Sequence, residues 1–561
     1  MKQKFDLRTR TAKAETSFRF GVLANSLFLE SWQYETIKLL LEEGHRLEIF
    51  IIKKESHEKP SFISKIQNYP YNRLIFRLWN RFIFRPSSKK TKDIAELLSG
   101  AKLMDCNPFV KGHTTELPEE MIRNLENENL DFILRFGFNI LRGKALNMAR
   151  FGIWSFHHDD EQEIRGGPPG FWEFYHKVPK NGVILQKLSA GLDKGYLLKK
   201  NYYPVIYHSY QAHLDQIYTE SALMPAQVCR NLDVEHFTPP LSETRAPIFK
   251  PPGNFQMIYF FFLLIYRRIE FHFRFLFRHE DWHIALVGGS WESAMKNPDL
   301  FNRIARQSKN SYLADPFFLE TSDDKHILAE EFNYSKGKGR IVALKASENY
   351  QTPRVVLEEN EHLSFPYVLE HEGNHYLIPE CYQSRTVKLY RIDTKEVKAH
   401  FVGELLTGYA AVDPVVFRHE GRWWLLFTEK SFPSVHLYAF YSDHLLGPYI
   451  PHQNNPVKTD IASARNAGMP FREGGKLIRP VQDCSLHYGR AVNLCEIVSL
   501  SPSHFEEKIV GRLSPSPLWP YKHGLHTYNK CSDGILIDGK RFGFTVSGFL
   551  HQAELKFRKG K

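Results

Sequence analysis

A short phrase recurs through the second half of this chain, and its spacing limits what that half can become. It runs Ala314-Asp315-Pro316-Phe317, Ser364-Phe365-Pro366-Tyr367, Val412-Asp413-Pro414-Val415 and Gly468-Met469-Pro470-Phe471, with Leu525-His526-Thr527-Tyr528 in the place of a fifth. The interval of roughly 50 residues is that of a propeller blade. A strand-like run, a turn containing glycine and another run follow. Glu372-Gly373-Asn374-His375, Glu420-Gly421-Arg422-Trp423 and Asp538-Gly539-Lys540-Arg541 show the turn, whose glycine supplies the positive φ of a tight hairpin. Five units predict an all-β five-bladed propeller over residues 281–555, with 283–287 adding the closing strand. Aromatic residues make up 14% of the sequence, and flat side chains of that kind pack well on pleated sheets.

The innermost strands of a propeller converge on its axis, so the recurring phrases should line one pocket. Asp315, Asp413 and Asp483, with Glu380, are expected to meet there, and Arg465, Asn466, Arg490 and His526 to stand beside them. Paired carboxylates cleave or form glycosidic bonds. They also bind sugar hydroxyls without chemistry, and Asp-Pro also simply caps strand starts; the spacing alone leaves these three open.

The first half has a different grain. Residues 18–25 form an apolar run, 32–43 have helical spacing and stop at Gly44, and 46–52 form a run fit for a strand buried on both faces. Strand, helix, strand at this spacing opens a parallel α/β sheet, and the absence of GxGxxG after the first strand removes the dinucleotide fingerprint. Helices are expected over 91–103, 118–127 and 144–150, and strands over 132–138, 152–156 and 182–188. The strand at 152–156 runs into Ser155-Phe156-His157-His158-Asp159-Asp160, then Arg165-Gly166-Gly167-Pro168-Pro169-Gly170-Phe171-Trp172, and the window closes at Gly191-Leu192-Asp193-Lys194-Gly195. Open α/β sheets hold ligands at the C-terminal ends of their strands. His157 there can exchange a proton near neutral pH, Asp193 can orient it or accept the proton, and Arg165, Gly166 and Gly167 let backbone approach a ligand. A satisfied histidine and a turn aspartate fit the same spacing.

Between the halves, residues 239–254 are proline-rich, and 239–280 reads as a linker. From Phe255 to Tyr266 the chain is uncharged but too short for a bilayer span, which takes roughly 20 residues. Aromatic and basic residues then alternate to Arg278. Two readings fit 255–278: an interfacial helix making peripheral membrane contact, and a helix packed between domains. Residues 72–86 mix aromatics with arginines and allow the same choice between packing on their own domain and docking on a membrane or anionic partner.

Net charge is +11, yet lysine and arginine are dispersed, so no nucleic-acid partner is expected. Cys106, Cys229, Cys381, Cys484, Cys495 and Cys531 include no CxxC pair, so no metal is expected and a reducing compartment suits them. Residues 1–17 are polar, lack an apolar signal core and read as a disordered tail. The expected location is cytoplasmic, peripheral to the inner face of the membrane if 255–278 docks there.

Two resemblances sharpen these readings. Phe136-Gly137-Phe138, Ser155-x-His157, Arg165-Gly166-Gly167-x-Pro169-x-x-Trp172 and Gly191-Leu192-Asp193-x-Gly195 resemble, in order, the catalytic domain of the formyltransferase family, over roughly residues 18–215 of an α/β domain taken as 18–238. The resemblance implies a Rossmann-like domain that takes 10-formyltetrahydrofolate as donor and formylates an amine, with His157 as acid/base, Asp193 as its partner and Arg165, Gly166, Gly167 and Trp172 around the substrate. Where that family carries asparagine this chain has Ser155, so the oxyanion role would fall to Ser155 or the adjacent His158. Leu313-Ala-Asp-Pro-Phe317, His362-Leu-Ser-Phe-Pro-Tyr367, Leu377-Ile-Pro-Glu380, Ala464-Arg-Asn-Ala-Gly468 and Gln482-Asp-Cys484 resemble the propellers of family 43 and family 32 glycoside hydrolases and, more closely, the N-terminal propeller of plant glucosamine inositolphosphorylceramide transferases. Together they imply an enzyme that formylates an amino sugar, presented as a nucleotide sugar or a lipid-linked glycan. The alternative is a carbohydrate-active or glycan-binding propeller on a degenerate formyltransferase domain.

Overall fold

The computed structural model describes residues 16–54, 70–191, 195–242, 244, 246–288, 291–296, 301–304 and 310–559. Asp193 and residues 1–15 of the expected tail lie outside the described residues. The chain divides into two compact units between Arg268 and Ile269.

The first unit is built on a seven-stranded sheet in the order Tyr196–Pro204, Lys180–Lys187, Ile153–His157, Phe132–Arg135, Arg19–Ala24, Arg46–Lys53, Lys102–Cys106. The last five are parallel, and the first two fold back antiparallel at one edge. Phe20, Val22, Leu23, Ile49, Phe50, Ile133 and Leu134 are buried, because both faces of these central strands are covered. The helix Ser31–Glu42 makes the first crossover and starts on a reciprocal Glu30–Gln33 capping box.

The helix expected over 91–103 does not form. Thr91–Asp93 is a short strand, Ala95–Leu98 a single 3-10 turn, and Gly100, at φ +85°, releases the chain so that Lys102–Cys106 pairs with Arg46–Lys53. Helix propensity loses here to an open sheet edge. Likewise 144–150 shortens to a 3-10 turn over Gly143–Asn147, and 72–86 holds one helical turn, Leu74–Leu78, widened into a π turn over Trp79–Ile83. The proline-rich stretch lies against the first unit: Ile248–Phe249 pairs with Arg165–Gly166.

The second unit is five antiparallel sheets, the architecture the repeat predicts. Blade 1 runs from Ser311–Glu320 to Arg354–Leu357, blade 2 from Ser364–His371 to Lys398–Thr407, blade 3 from Ala411–His419 to Ile450–Pro451 and blade 4 from Phe471–Glu473 to Phe505–Leu513. Blade 5 is composite: Tyr528–Cys531 and Gly534–Gly543 pair with His279–Val287 and Phe301–Arg303. The expected closing strand is thus the whole of 279–287.

Hydrogen bonds link every neighbouring pair of blades in a ring. The Phe365 amide donates to Asp315 Oδ2 at 3.1 Å and the Asp413 amide to Glu380 Oε2 at 3.0 Å. Asn466 Nδ2 donates to Leu426 O at 3.0 Å, the Tyr528 amide to Ala467 O at 2.7 Å, and the Asp315 amide to Asp538 Oδ2 at 3.1 Å.

Candidate functional site

Three of the recurring phrases share one backbone device. Pairing skips from Ala314 to Phe317, from Ser364 to Tyr367 and from Val412 to Val415. At each skip the residue before proline has positive φ: 51° at Asp315, 43° at Phe365 and 47° at Asp413. Proline has no N–H to give to the ladder, so the strand bulges there. In blades 1 and 3 the left-handed residue is an aspartate, which tolerates that conformation and directs a carboxylate toward the centre.

Of the four carboxylates expected at the centre, Asp315, Asp413 and Glu380 lie there. Asp315 also accepts from the Thr527 hydroxyl at 2.9 Å. His526 holds Asp538 Oδ2 at 2.5 Å through Nδ1, stands 3.5 Å from Asp315 Oδ1 through Nε2, and stacks on Trp282 at 3.7 Å. Asp413 accepts from Arg465 Nε at 2.5 Å and from Gln482 Nε2 at 2.7 Å, and the Glu380 carboxyl bonds to it. The Arg465 guanidinium lies over the Tyr488 ring at 4.7 Å.

Asp315, Glu380, Asp413, Asp538 and His526 are buried, and burial sets the protonation of the centre. Burial, against the pull of His526 and aided by the charges of Asp413 and Asp538, raises Asp315 to about 6. Burial raises Asp413 to about 7; Arg465 opposes this, and the charge and hydrogen bond of the neighbouring Glu380 assist. Glu330 stands well above the ordinary carboxylate range, through burial first and then the charges of Asp315 and Glu380. For His526 burial works against the charge, but Asp538 and Asp315 outweigh it and raise its pKa. The centre therefore holds proton donors and acceptors poised near neutrality, which is what acid–base work on a glycosidic bond requires.

Asp483 is not among them. It pairs with Arg512 at 2.6 Å, and Arg490 lies 3.7 Å away. Successive strand residues face opposite ways, so its neighbour Gln482 reaches Asp413 instead. Sequence reasoning missed Glu330, Asp538, Gln482, Trp282 and Tyr488. Asp538-Gly539, expected to form a hairpin turn, lies instead in mid-strand within Gly534–Gly543, where Asp538 pairs with Ile284; the hairpin turn is at Ser532-Asp533.

In the first unit, His157 ends its strand and lines a cleft of about 120 Å³ with Arg135, Arg142, Phe156 and Gln186. Its Nε2 is 3.9 Å from Asp159 Oδ2. Asp159 and Glu173 are a buried acid pair; burial, then their mutual repulsion, holds Glu173 well above the ordinary range. The Ser155 hydroxyl accepts from Arg135 Nη2 at 2.7 Å and Nε at 3.2 Å, so an arginine occupies it. His158 faces away: it packs on Trp32 and Tyr218, bonds Ser221 Oγ at 3.1 Å, and burial holds it neutral. It is therefore unavailable for the oxyanion role expected of it.

The groups expected around a substrate are taken up by the chain itself. Arg165 donates through Nε and Nη2 to Ala246 O at 2.8 and 2.6 Å, the Gly167 amide to Phe249 O at 3.2 Å, and the Trp172 ring packs at a tilt on Phe249, centroids 4.9 Å apart. At Gly166, φ is +105° and a Cβ would stand 2.0 Å from Phe249 O. These glycines admit residues 246–249 rather than a ligand.

Residues 293–516, within the second unit, match the family described as glucosamine inositolphosphorylceramide transferase 1, N-terminal. Glucosamine inositolphosphorylceramide transferase 1 of Oryza sativa subsp. japonica is 31% identical over 207 residues, covering 35% of this chain and 28% of the relative. The Arabidopsis thaliana protein of that name is 28% identical over 229 residues, 39% of this chain and 29% of its own. The chain thus spans less than a third of the length of these curated relatives. Among solved structures, exo-β-1,3-galactanase from Phanerochaete chrysosporium aligns at TM-score 0.30 and 15% identity, over 38% of this chain and 54% of that one. The family 117 glycoside hydrolase Zg3597 of Zobellia galactanivorans aligns at 0.30 and 14%, over 47% and 91%. None of these names describes a formyltransferase.

Proposed function

We propose that the propeller is a carbohydrate-active centre working on the sugar of a glycolipid, with Asp413, Glu380 and Asp315 as its acid–base groups. The observation that carries this is the convergence of buried carboxylates from separate blades, with Asp315 near 6 and Asp413 near 7. The match over 293–516 to a family named for transfer of glucosamine to inositolphosphorylceramide supports the choice of substrate class. The Asp413 carboxyl, hydrogen-bonded to Glu380, gives its proton to the glycosidic oxygen as the bond to the anomeric carbon breaks. Asp315, ionised above about pH 6, takes the proton of the incoming hydroxyl as the new bond forms. Arg465 and Gln482 fix the Asp413 carboxylate, and His526 keeps Asp315 oriented.

The test is release or transfer of sugar from glycosylinositol phospholipid substrates by the full chain and by Asp315→Asn and Glu380→Gln. Loss of turnover of at least about a hundredfold in both is expected. Turnover unchanged in either variant would overturn the assignment.

A second reading concerns the first unit. His157 in a cleft flanked by Arg135 and Arg142 favours an anionic ligand, and we keep 10-formyltetrahydrofolate and transfer of its formyl group to an amino sugar as the proposal for that cleft. Folate compounds would then raise the melting temperature of the wild type and not of His157→Ala.

A further inference from the structure

The helix Asn254–Phe277 carries two apolar faces. One, through Met257, Phe260 and Leu263, is buried; Phe260 packs on Phe171, Phe174, Tyr210 and Trp79 at centroid distances of 4.7–5.6 Å. The other, at Phe255, Ile258, Phe262, Ile265, Tyr266 and Ile269, is exposed, with Phe255 at 89% and Phe262 at 62%. At about 100° per residue these positions fall on the side opposite the packed one. A surface helix normally turns charge outward there; from 254 to 269 this one has no acidic residue and only Arg267 and Arg268 as charges.

The segment at 71–85 abuts the same helix. Asn254 donates to Tyr71 O at 2.9 Å and accepts from the Ile75 amide at 3.1 Å, and Trp79 lies 6.1 Å from Phe261. It too exposes large apolar side chains, with Phe82 at 64% and Ile83 at 72%. Arginines recur every fourth residue along it, at Arg73, Arg77, Arg81 and Arg85; Lys89 and Lys90 follow, and no acidic residue occurs from 71 to 90. Arg77, Arg81 and Arg85 are exposed.

We infer that these two segments form one docking surface for an anionic phospholipid bilayer, with the outer face of the helix lying in the membrane plane and the arginines at the level of the phosphates. Charge complementarity decides the occupant. A second copy meeting this surface face to face would set arginine against arginine, whereas an anionic leaflet complements the array. No helix among the described residues is long and apolar enough to cross a membrane, so the helix lies on the bilayer. This surface is independent of the propeller's chemistry.

The experiment is flotation of the full chain with vesicles of phosphatidylcholine alone and of phosphatidylcholine with phosphatidylglycerol, at low and high salt. The wild type should float with the anionic vesicles and lose most of its binding at high salt. Phe82→Glu combined with Phe262→Glu should lower the bound fraction by at least about tenfold, and Arg77→Glu combined with Arg81→Glu should abolish the preference for anionic lipid. Unchanged near-ultraviolet circular dichroism certifies the fold of each variant. Equal flotation with both vesicle types, or none with either, overturns the inference. So does a wild-type dimer in sedimentation velocity that Phe262→Glu dissociates.

Discussion

Replacing Asp315 by asparagine should stabilise the propeller at alkaline pH while disabling it. The asparagine keeps an acceptor for the Phe365 amide and the shape of the side chain; it removes the charge and puts an amide nitrogen where Oδ1 accepts from the Thr527 hydroxyl. A carboxyl raised from the ordinary 3.8 to about 6 contributes stability that is complete below 3.8 and lost as pH rises through about 6. Full ionisation therefore costs the native state about 3 kcal/mol. About half of that cost already applies near pH 5, so the substitution should be about 1–2 kcal/mol more favourable near pH 8 than near pH 5. Urea unfolding of both proteins at the two pH values, followed by tryptophan fluorescence, measures the difference, because the unchanged first unit cancels between them. Asp315→Asn should lose turnover at both. A stability change that does not vary with pH would refute the reasoning: the carboxylate would then be ionised throughout and serve only as an acceptor joining blades.

Glu507 is buried against Arg479, at 2.6 and 3.0 Å, and Lys458, at 2.8 Å, so Glu507→Gln should cost about 3–5 kcal/mol by stranding a buried guanidinium. Those cations, outweighing burial, hold Glu507 below the ordinary 4.5; its contribution is present above 4.5 and fades as pH falls below that, so the cost of the variant should shrink in acid urea titrations. Gly166→Ala places a Cβ 2.0 Å from Phe249 O at φ +105°; it should cost about 1–3 kcal/mol and open residues 240–250 to limited proteolysis. Arg135→Met should leave the Ser155 hydroxyl without its charged donor and weaken any folate-dependent rise in melting temperature, as calorimetry would show.

Blades 1 to 4 were legible in the sequence because each is built from strands adjacent in the chain and opens at a phrase whose proline marks a fixed place. The composite blade was legible only in part: 283–287 gave the apolar run, but nothing local declares that His279–Val287 pairs with residues near 540. Asp483 was misplaced by a single residue, which on a strand is a full reversal of face, and position beside Gln482 carries no sign of which of the two turns inward. In the first unit the apolar runs revealed the central strands, whereas the glycines at 166 and 167 gave no hint that their guest would be Phe249. Arg135, a charge closing the apolar run Phe132-Ile133-Leu134, was the available sign that Ser155 is already engaged.

The composite blade also ties folding to synthesis. Glu280 and Lys540, which meet by an ion pair at 2.9 Å, are 260 residues apart in the chain. At about 5–20 residues per second on the ribosome, His279–Val287 waits tens of seconds for its partner, with a strand edge open to the wrong neighbour. A message broken anywhere within the last blade yields a ring that never shuts, so partial products should pass straight to chaperones and proteases instead of accumulating as smaller propellers.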